Sequence, residues 1–293
     1  CLFCNFNDSF SLVFIRPRDC KMNILKINDV DRRILTTSFP IIIANISIPL
    51  LGMTDTAVLG QLGDLDVLAG ISLGAVIIGA IYWFFGFLRM GLTGLVSQAR
   101  GQRNPYEVTS LLIRGLGIAF AGGLGLILLQ GILFNSIFFA LSAEKAPEDL
   151  SRIYMSIRLV SAPAAISLLV VTGWLFGMGR TKEALYLLLF INLANILLDL
   201  LFVNLLHLGI HGVAYATIIS ETMGVFLGVF LCKDYLFGNG FIDKKRIFSK
   251  SKWQQFLFLN INIVVRSSLL QAVFLSYLFF GTLFGSVTLA ANH

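Results

Sequence analysis

Long apolar stretches alternate with short polar ones along nearly the whole chain. Seven stretches combine length with few charges: residues 34–59, 67–98, 109–140, 152–177, 182–206, 211–236 and 255–284. About 20 apolar residues wound as a helix cross the roughly 30 Å hydrocarbon layer of a bilayer. Each stretch therefore predicts a membrane-crossing helix, and the residues up to His293 read as the entry to an eighth. Nothing reads as alternating strands between short polar turns, so a membrane β-barrel is not predicted. The fold class expected is an all-α polytopic membrane protein.

Composition agrees. The chain is 57% hydrophobic and 13% charged, against about 25% charged in soluble domains. The net charge of +6 does not point to nucleic acid, because the basic residues gather in alternate connections. Arg16, Arg18, Lys21, Lys26, Arg32 and Arg33 precede the first stretch, Arg100 and Arg103 follow the second, and Arg180 and Lys182 follow the fourth. Lys233, Lys244, Lys245, Arg246, Lys250 and Lys252 follow the sixth. The opposite connections hold Lys145 and Arg152, with Asp64, Asp66, Glu144, Glu148 and Asp149. Basic loops stay in the cytoplasm, so the N-terminus is expected there. The organisation expected is an N-terminal cytoplasmic segment over 1–33, six spans over 34–236, a polar cytoplasmic linker over 237–254 and a further helix within 255–293. That linker reads both as an amphipathic loop resting on anionic lipid and as a joint between two halves.

Three acidic residues change the picture: Asp55, Asp199 and Glu221 fall inside apolar stretches. Asp at the centre of a membrane helix costs about 2.5–3.5 kcal/mol on insertion scales. Such groups persist where they face a protein interior or a wet cavity. Asn192, Asn195 and Asp199 recur at i, i+3 and i+7, which puts them on one helix face. Thr217 and Glu221, four apart, share a face of the next stretch. Oxygen ligands of these types suit Na⁺, or a proton held between carboxylates. Asn and Thr alone would read as interhelical hydrogen bonding, but a stripe that includes Asp reads as a site. For Asp55 the competing reading is a helix cap at the membrane interface. Pro40 and Pro49 lie before Asp55, and proline weakens a helix locally. Glu221 either joins the cavity or pairs with one of the buried arginines, and Arg158 is a candidate partner for a carboxylate. Arg89, Arg114 and Arg266 also fall in or beside spans, and Arg89 and Arg266 are expected near the cytoplasmic boundary, where arginine snorkels.

Other chemistries find no support. Lysine falls only at the ends of the predicted spans (Lys182, Lys233), and no phosphate-binding loop, nucleophile elbow or zinc-protease motif occurs, so an enzyme is not expected. His207 and His211 read as interfacial. Cys1 and Cys4 form a lone CxxC; with Cys20 and Cys232 they predict free thiols. Residues 1–21 are irregular, and Met22 is the expected natural start. Gly70/Gly74, Gly173/Gly177 and Gly224/Gly228 are small-xxx-small pairs that predict close helix packing. An internal repeat aligns Gly60, Leu62, Leu68 and Ala69 with Gly281, Leu283, Leu289 and Ala290, as if the seventh span restarts the fold.

Several segments together resemble the multidrug and toxic compound extrusion (MATE) family, in its DinF-like branch. They are Pro40 to Gly60 with Asp55-Thr-Ala-Val-Leu-Gly, Gly91-Leu-Thr-Gly-Leu-Val-Ser-Gln-Ala-Arg-Gly101, and Arg158-Leu-Val-Ser-Ala-Pro163. Asn192-Leu-Ala-Asn-Ile-Leu-Leu-Asp199 and Gly209-Ile-His-Gly-Val-Ala-Tyr-Ala-Thr217 complete the set. The resemblance implies two six-helix lobes in the bacterial plasma (inner) membrane, opening alternately to either side. It implies export of cationic or amphipathic compounds in exchange for H⁺ or Na⁺, with no cofactor. It maps the ion site of the first lobe onto Asp55, Asn195, Asp199 and Thr217, a helix bend onto Pro40 and a cavity-lining role onto Tyr154. Asn192, Arg158 and Glu221 are further cavity candidates. The chain would then hold the six-helix N-lobe, helix seven and the start of helix eight, and this piece without its C-lobe is not expected to complete a transport cycle. A flippase for lipid- or nucleotide-linked precursors is the alternative within transport. A seven-helix receptor is the alternative outside it.

Overall fold

The computed structural model describes residues 32, 35–36, 38–46, 65–141, 145–238 and 241–283, and these are helical apart from short turns. Helix α1 covers residues 38–46. It is followed by α2 (Leu65–Phe84), α3 (Gly86–Gly101), α4 (Pro105–Leu141), α5 (Lys145–Arg158), α6 (Ala162–Gly177), α7 (Thr181–Asp199) and α8 (Gly209–Leu231). Two one-turn helices, α9 (Lys233–Leu236) and α10 (Lys244–Ile247), lead to the long α11 (Lys250–Leu283). The chain divides into two compact units after Thr36. In the first, Thr36 Oγ1 donates to the Arg32 carbonyl oxygen at 2.6 Å. The other elements belong to the second.

Five stretches among the described residues are long and apolar enough to cross a membrane: Val67–Gly101, Pro105–Phe139, Lys145–Gly177, Thr181–Leu205 and Gly209–Leu231. They coincide with the second to sixth stretches predicted from hydropathy. Large apolar side chains such as Leu128, Phe139 and Phe226 stand 72–90% exposed on their outer faces, the surface that lipid covers.

Three of these spans are not the unbroken α-helices that hydropathy predicts. The second breaks at Phe85, between α2 and α3. The fourth breaks into a 3₁₀ turn at Leu159–Ser161, between α5 and α6. Pro163 explains this break, since its ring removes the amide that would bond back to the Leu159 carbonyl. The fifth ends in a π-helix, Leu200–Leu205, directly after Asp199. Hydropathy is blind to such changes because Ser161 and Asn204 are single polar residues that leave the stretches around them apolar.

The two bent spans run side by side, α2 on α5 and α3 on α6. Glycines permit this, as their spacing predicts. A Cβ on Gly74 would lie 2.8 Å from Tyr154 Cδ1, one on Gly173 would lie 2.6 Å from the Arg89 carbonyl oxygen, and one on Gly177 would lie 2.7 Å from Val96 Cβ. Gly224 and Gly228 of α8 press likewise on Ile191 and Val171. Thr93 Oγ1 bridges α3 to α6 by donating to the Gly173 carbonyl at 3.0 Å. At the bends, Tyr82 donates to the Arg158 carbonyl oxygen at 3.3 Å, and Gly123 of α4 lies flat against Pro163.

Two apolar cores result. One surrounds Trp174 with Leu88, Leu92, Val96, Leu112, Leu187 and Phe256. Its fully buried indole Nε1 donates to the Val108 carbonyl at 3.1 Å. The other holds Ile71, Tyr154, Met155, Leu159, Val203 and Val213.

The segment 237–254 departs from the expected loop. Asp243 caps α10 by accepting from the Lys245 and Arg246 amides, as a short acidic side chain does at a helix start. Arg114, 1% exposed within α4, donates to the Arg246 carbonyl at 2.7 Å and the Ile247 carbonyl at 3.1 Å. Trp253 Nε1 donates to the Ile247 carbonyl at 2.8 Å. Part of this segment is therefore docked on the helices by hydrogen bonds to backbone, and α11 begins inside it.

Candidate functional site

The polar stripe of α7 is present as a buried face. Asn195 and Asp199 are 0% exposed and one turn apart, while Asn192 at the next turn is half-buried. The face turns toward α8, because Asn195 Nδ2 donates to Thr217 Oγ1 at 3.3 Å. Thr217 Oγ1 in turn donates to the Val213 carbonyl at 3.0 Å. Asn195 Oδ1 accepts no hydrogen bond from the described residues, so one amide oxygen is left for a further partner. A π-helix loosens the backbone where a polar side chain is needed, and such insertions gather at functional positions. Here it starts on the residue after Asp199.

Asp55 and Pro49 lie outside the described residues. Pro40 is buried in α1, which meets α3 where Arg89 donates to Asn45 Oδ1 at 3.3 Å. Arg89 also stands over the Phe176 ring, 4.9 Å from its centroid.

Glu221 takes the second of the two roles open to it. Arg158 Nη1 and Nη2 donate to its two carboxylate oxygens at 3.0 and 2.9 Å. Arg158 also donates to Ser161 Oγ at 2.7 Å, and its guanidinium lies 5.7 Å from the centre of the Tyr82 ring. The pair joins the bend of the fourth span to α8. Tyr154, 5% exposed, packs into the second core beside Gly74.

His207 and His211 are exposed, and His211 stacks on Tyr215. No group of three metal-ligating side chains occurs among the described residues.

Sequence reasoning did not single out Tyr82, Ser161 or Asn260. Asn260, 2% exposed in α11, carried a signal, since it is an amide inside an apolar stretch. Tyr82 and Ser161 carried none, because their value comes from lying beside Arg158.

The MatE family model matches residues 40–201. DNA damage-inducible protein F of Escherichia coli is 32% identical over 284 residues, covering 97% of this chain and 61% of that protein. A probable multidrug resistance protein NorM of Oceanobacillus iheyensis is 24% identical over 151 residues, covering 51% of this chain and 33% of that one. A crystal structure of a MATE transporter in the bent conformation superposes with a TM-score of 0.77 at 20% identity, over 90% of this chain and 59% of that chain. The chain thus spans about three fifths of the length of its Escherichia coli relative. With a match across 162 of its residues (40–201) and this helical architecture, the chain belongs to the MatE family of multidrug and toxic compound extrusion proteins.

Proposed function

We propose that the chain forms the first lobe and the opening helix of a two-lobed exporter, which moves cationic or amphipathic compounds out of the cell against an inward flow of H⁺ or Na⁺. Residues 34–236 form the N-lobe, 237–254 the inter-lobe linker and 255–293 the start of the second lobe. The protein lies in the bacterial inner membrane with its basic connections in the cytoplasm. The rest of the C-lobe is its partner in the same polypeptide.

One observation carries the reading. Asn195 and Asp199 are wholly buried, one turn apart on α7, with the Thr217 hydroxyl bonded to Asn195 from α8. A buried carboxylate beside an amide oxygen and a hydroxyl is chemistry for a proton or a small hard cation. Asp55, Asn195, Asp199 and Thr217 bind the coupling ion, and its binding favours one arrangement of the lobes by differential affinity. Arg158 supports a cationic cargo, because its charge is neutralised by Glu221 rather than offered to a phosphate. A flippase for anionic precursors needs such an exposed positive charge.

The test uses a chain carrying both lobes, in proteoliposomes under an imposed H⁺ or Na⁺ gradient. Asp199→Asn should insert normally yet lose gradient-driven efflux of a cationic dye. Unchanged efflux from that variant rejects the ion site.

A further inference from the structure

Among the described residues, α11 contacts the helices before it between Lys252 and Ser268. Phe256, 1% exposed, enters the Trp174 core, and Asn260 one turn later is 2% exposed. Farther along the helix, Leu269 and Leu270 are more than half exposed.

One close contact is with Gly91 of α3. A Cβ on Gly91 would collide with Asn260 Oδ1, so the Asn260 amide lies directly on the glycine backbone. Asn260 Nδ2 donates to the Phe256 carbonyl at 2.7 Å. Its Oδ1 accepts no hydrogen bond from the described residues. Lys250 and Gly101 mark the basic ends of the two helices. Asn260 and Gly91 each lie ten residues from those ends, about 15 Å along a helix. Beyond the contact, Ser267 shares a crevice with Trp83, Phe84, Phe87, Met90 and Val264.

A buried amide oxygen without a donor is worse for a closed contact than an apolar group of the same shape. Water can reach it when the two helices separate. We propose that Asn260 seated on Gly91 is an inner gate between the lobes, and that its unsatisfied oxygen biases this gate toward opening. The proposal rests on the two-lobed exporter reading above. Asn260 is a positioning residue: it tunes how often the cytoplasmic side opens and does not bind the cargo.

The experiment places a reporter cysteine at Ser267, with Cys1, Cys4, Cys20 and Cys232 replaced, in the chain carrying both lobes. A charged, membrane-impermeant maleimide is added on the face of the basic connections. Asn260→Leu, nearly isosteric and without the orphan oxygen, should slow labelling about tenfold. Gly91→Ala should speed it, because the new Cβ pushes Asn260 aside. Asn260→Met carries the same expectation as Asn260→Leu should the latter fail to insert. Labelling of either apolar variant as fast as the parent, or faster, overturns the gate. Labelling requires no cargo and no ion gradient, so the expected shift without any driven efflux in the parent would sink the exporter reading and keep the gate.

Discussion

The guanidinium of Arg158 holds both carboxylate oxygens of Glu221, at 3.0 and 2.9 Å, across 63 residues of sequence. The two side chains are only 10% and 13% exposed. Removing one partner of a buried pair strands the other, at about 3–5 kcal/mol. Glu221→Gln should therefore lower the thermal stability of the purified protein markedly. Replacing both, Arg158→Met with Glu221→Leu, should recover most of that loss. A double variant less stable than either single one would contradict this account.

Arg114 should matter for α10 and its flanks more than for the helix that carries it. Its two bonds to the carbonyls of Arg246 and Ile247 are joined by one to Glu107 at 3.2 Å. Glu107 lies in turn 3.8 Å from Arg246 and 3.9 Å from Lys252. Arg114→Met removes the donors that dock α10. Trypsin should then cut after Lys244, Lys245 and Arg246 about tenfold faster, because the open population rises exponentially with the free energy lost, about tenfold for each 1.4 kcal/mol. Mass spectrometry of the early fragments checks this.

The glycines divide into two groups with opposite expectations. Gly173→Ala places a methyl 2.6 Å from the Arg89 carbonyl oxygen and 2.9 Å from its Cα, and backbone cannot yield as a flexible side chain does. A cost of about 1–3 kcal/mol is expected. Gly117 has nothing within 4 Å of a new Cβ. Gly117→Ala should be neutral or stabilising by about 0.5–1 kcal/mol, through better helix propensity. Parallel melting curves of the two variants make the comparison.

Cys232, just past the end of α8, should resist alkylation. Burial pushes its thiol up from 9.0 to about 12, against the pull of Arg180 and with the push of Glu183. A raised pKa means that the folded protein keeps the proton more firmly than the unfolded chain does. This contribution to stability is complete below pH 9, and it is lost as the pH rises toward 12. With Cys1, Cys4 and Cys20 replaced by Ser, iodoacetamide at pH 8 should leave Cys232 unmodified in the folded protein and modify it in detergent that unfolds the chain. Rapid labelling of the folded protein at pH 8 would show that the thiol is not held in this way.

Much of this architecture can be read without coordinates, because lipid imposes a local rule. A chain in hydrocarbon must satisfy its own backbone hydrogen bonds within each span, so an apolar stretch of sufficient length is enough to announce a helix. The five described spans follow from that rule alone. So do the close contacts at Gly173, Gly177, Gly224 and Gly228, since residues four apart lie on one face wherever the helix packs. The Asn195 and Asp199 face was legible for the same reason.

What tertiary structure decided is how those faces were matched. Asn195 bonds to Thr217 from the next helix, 22 residues on. Arg158 chose Glu221, and Arg114 reached backbone carbonyls more than 130 residues away. No periodicity carries such information, because an arginine in an apolar stretch looks the same whether it snorkels or is captured. The bends at Phe85 and Leu159–Ser161 and the π-turn after Asp199 belong to the same class. Hydropathy gives the length of a span, but the hydrogen-bond register within it is settled by the neighbours against which it must pack.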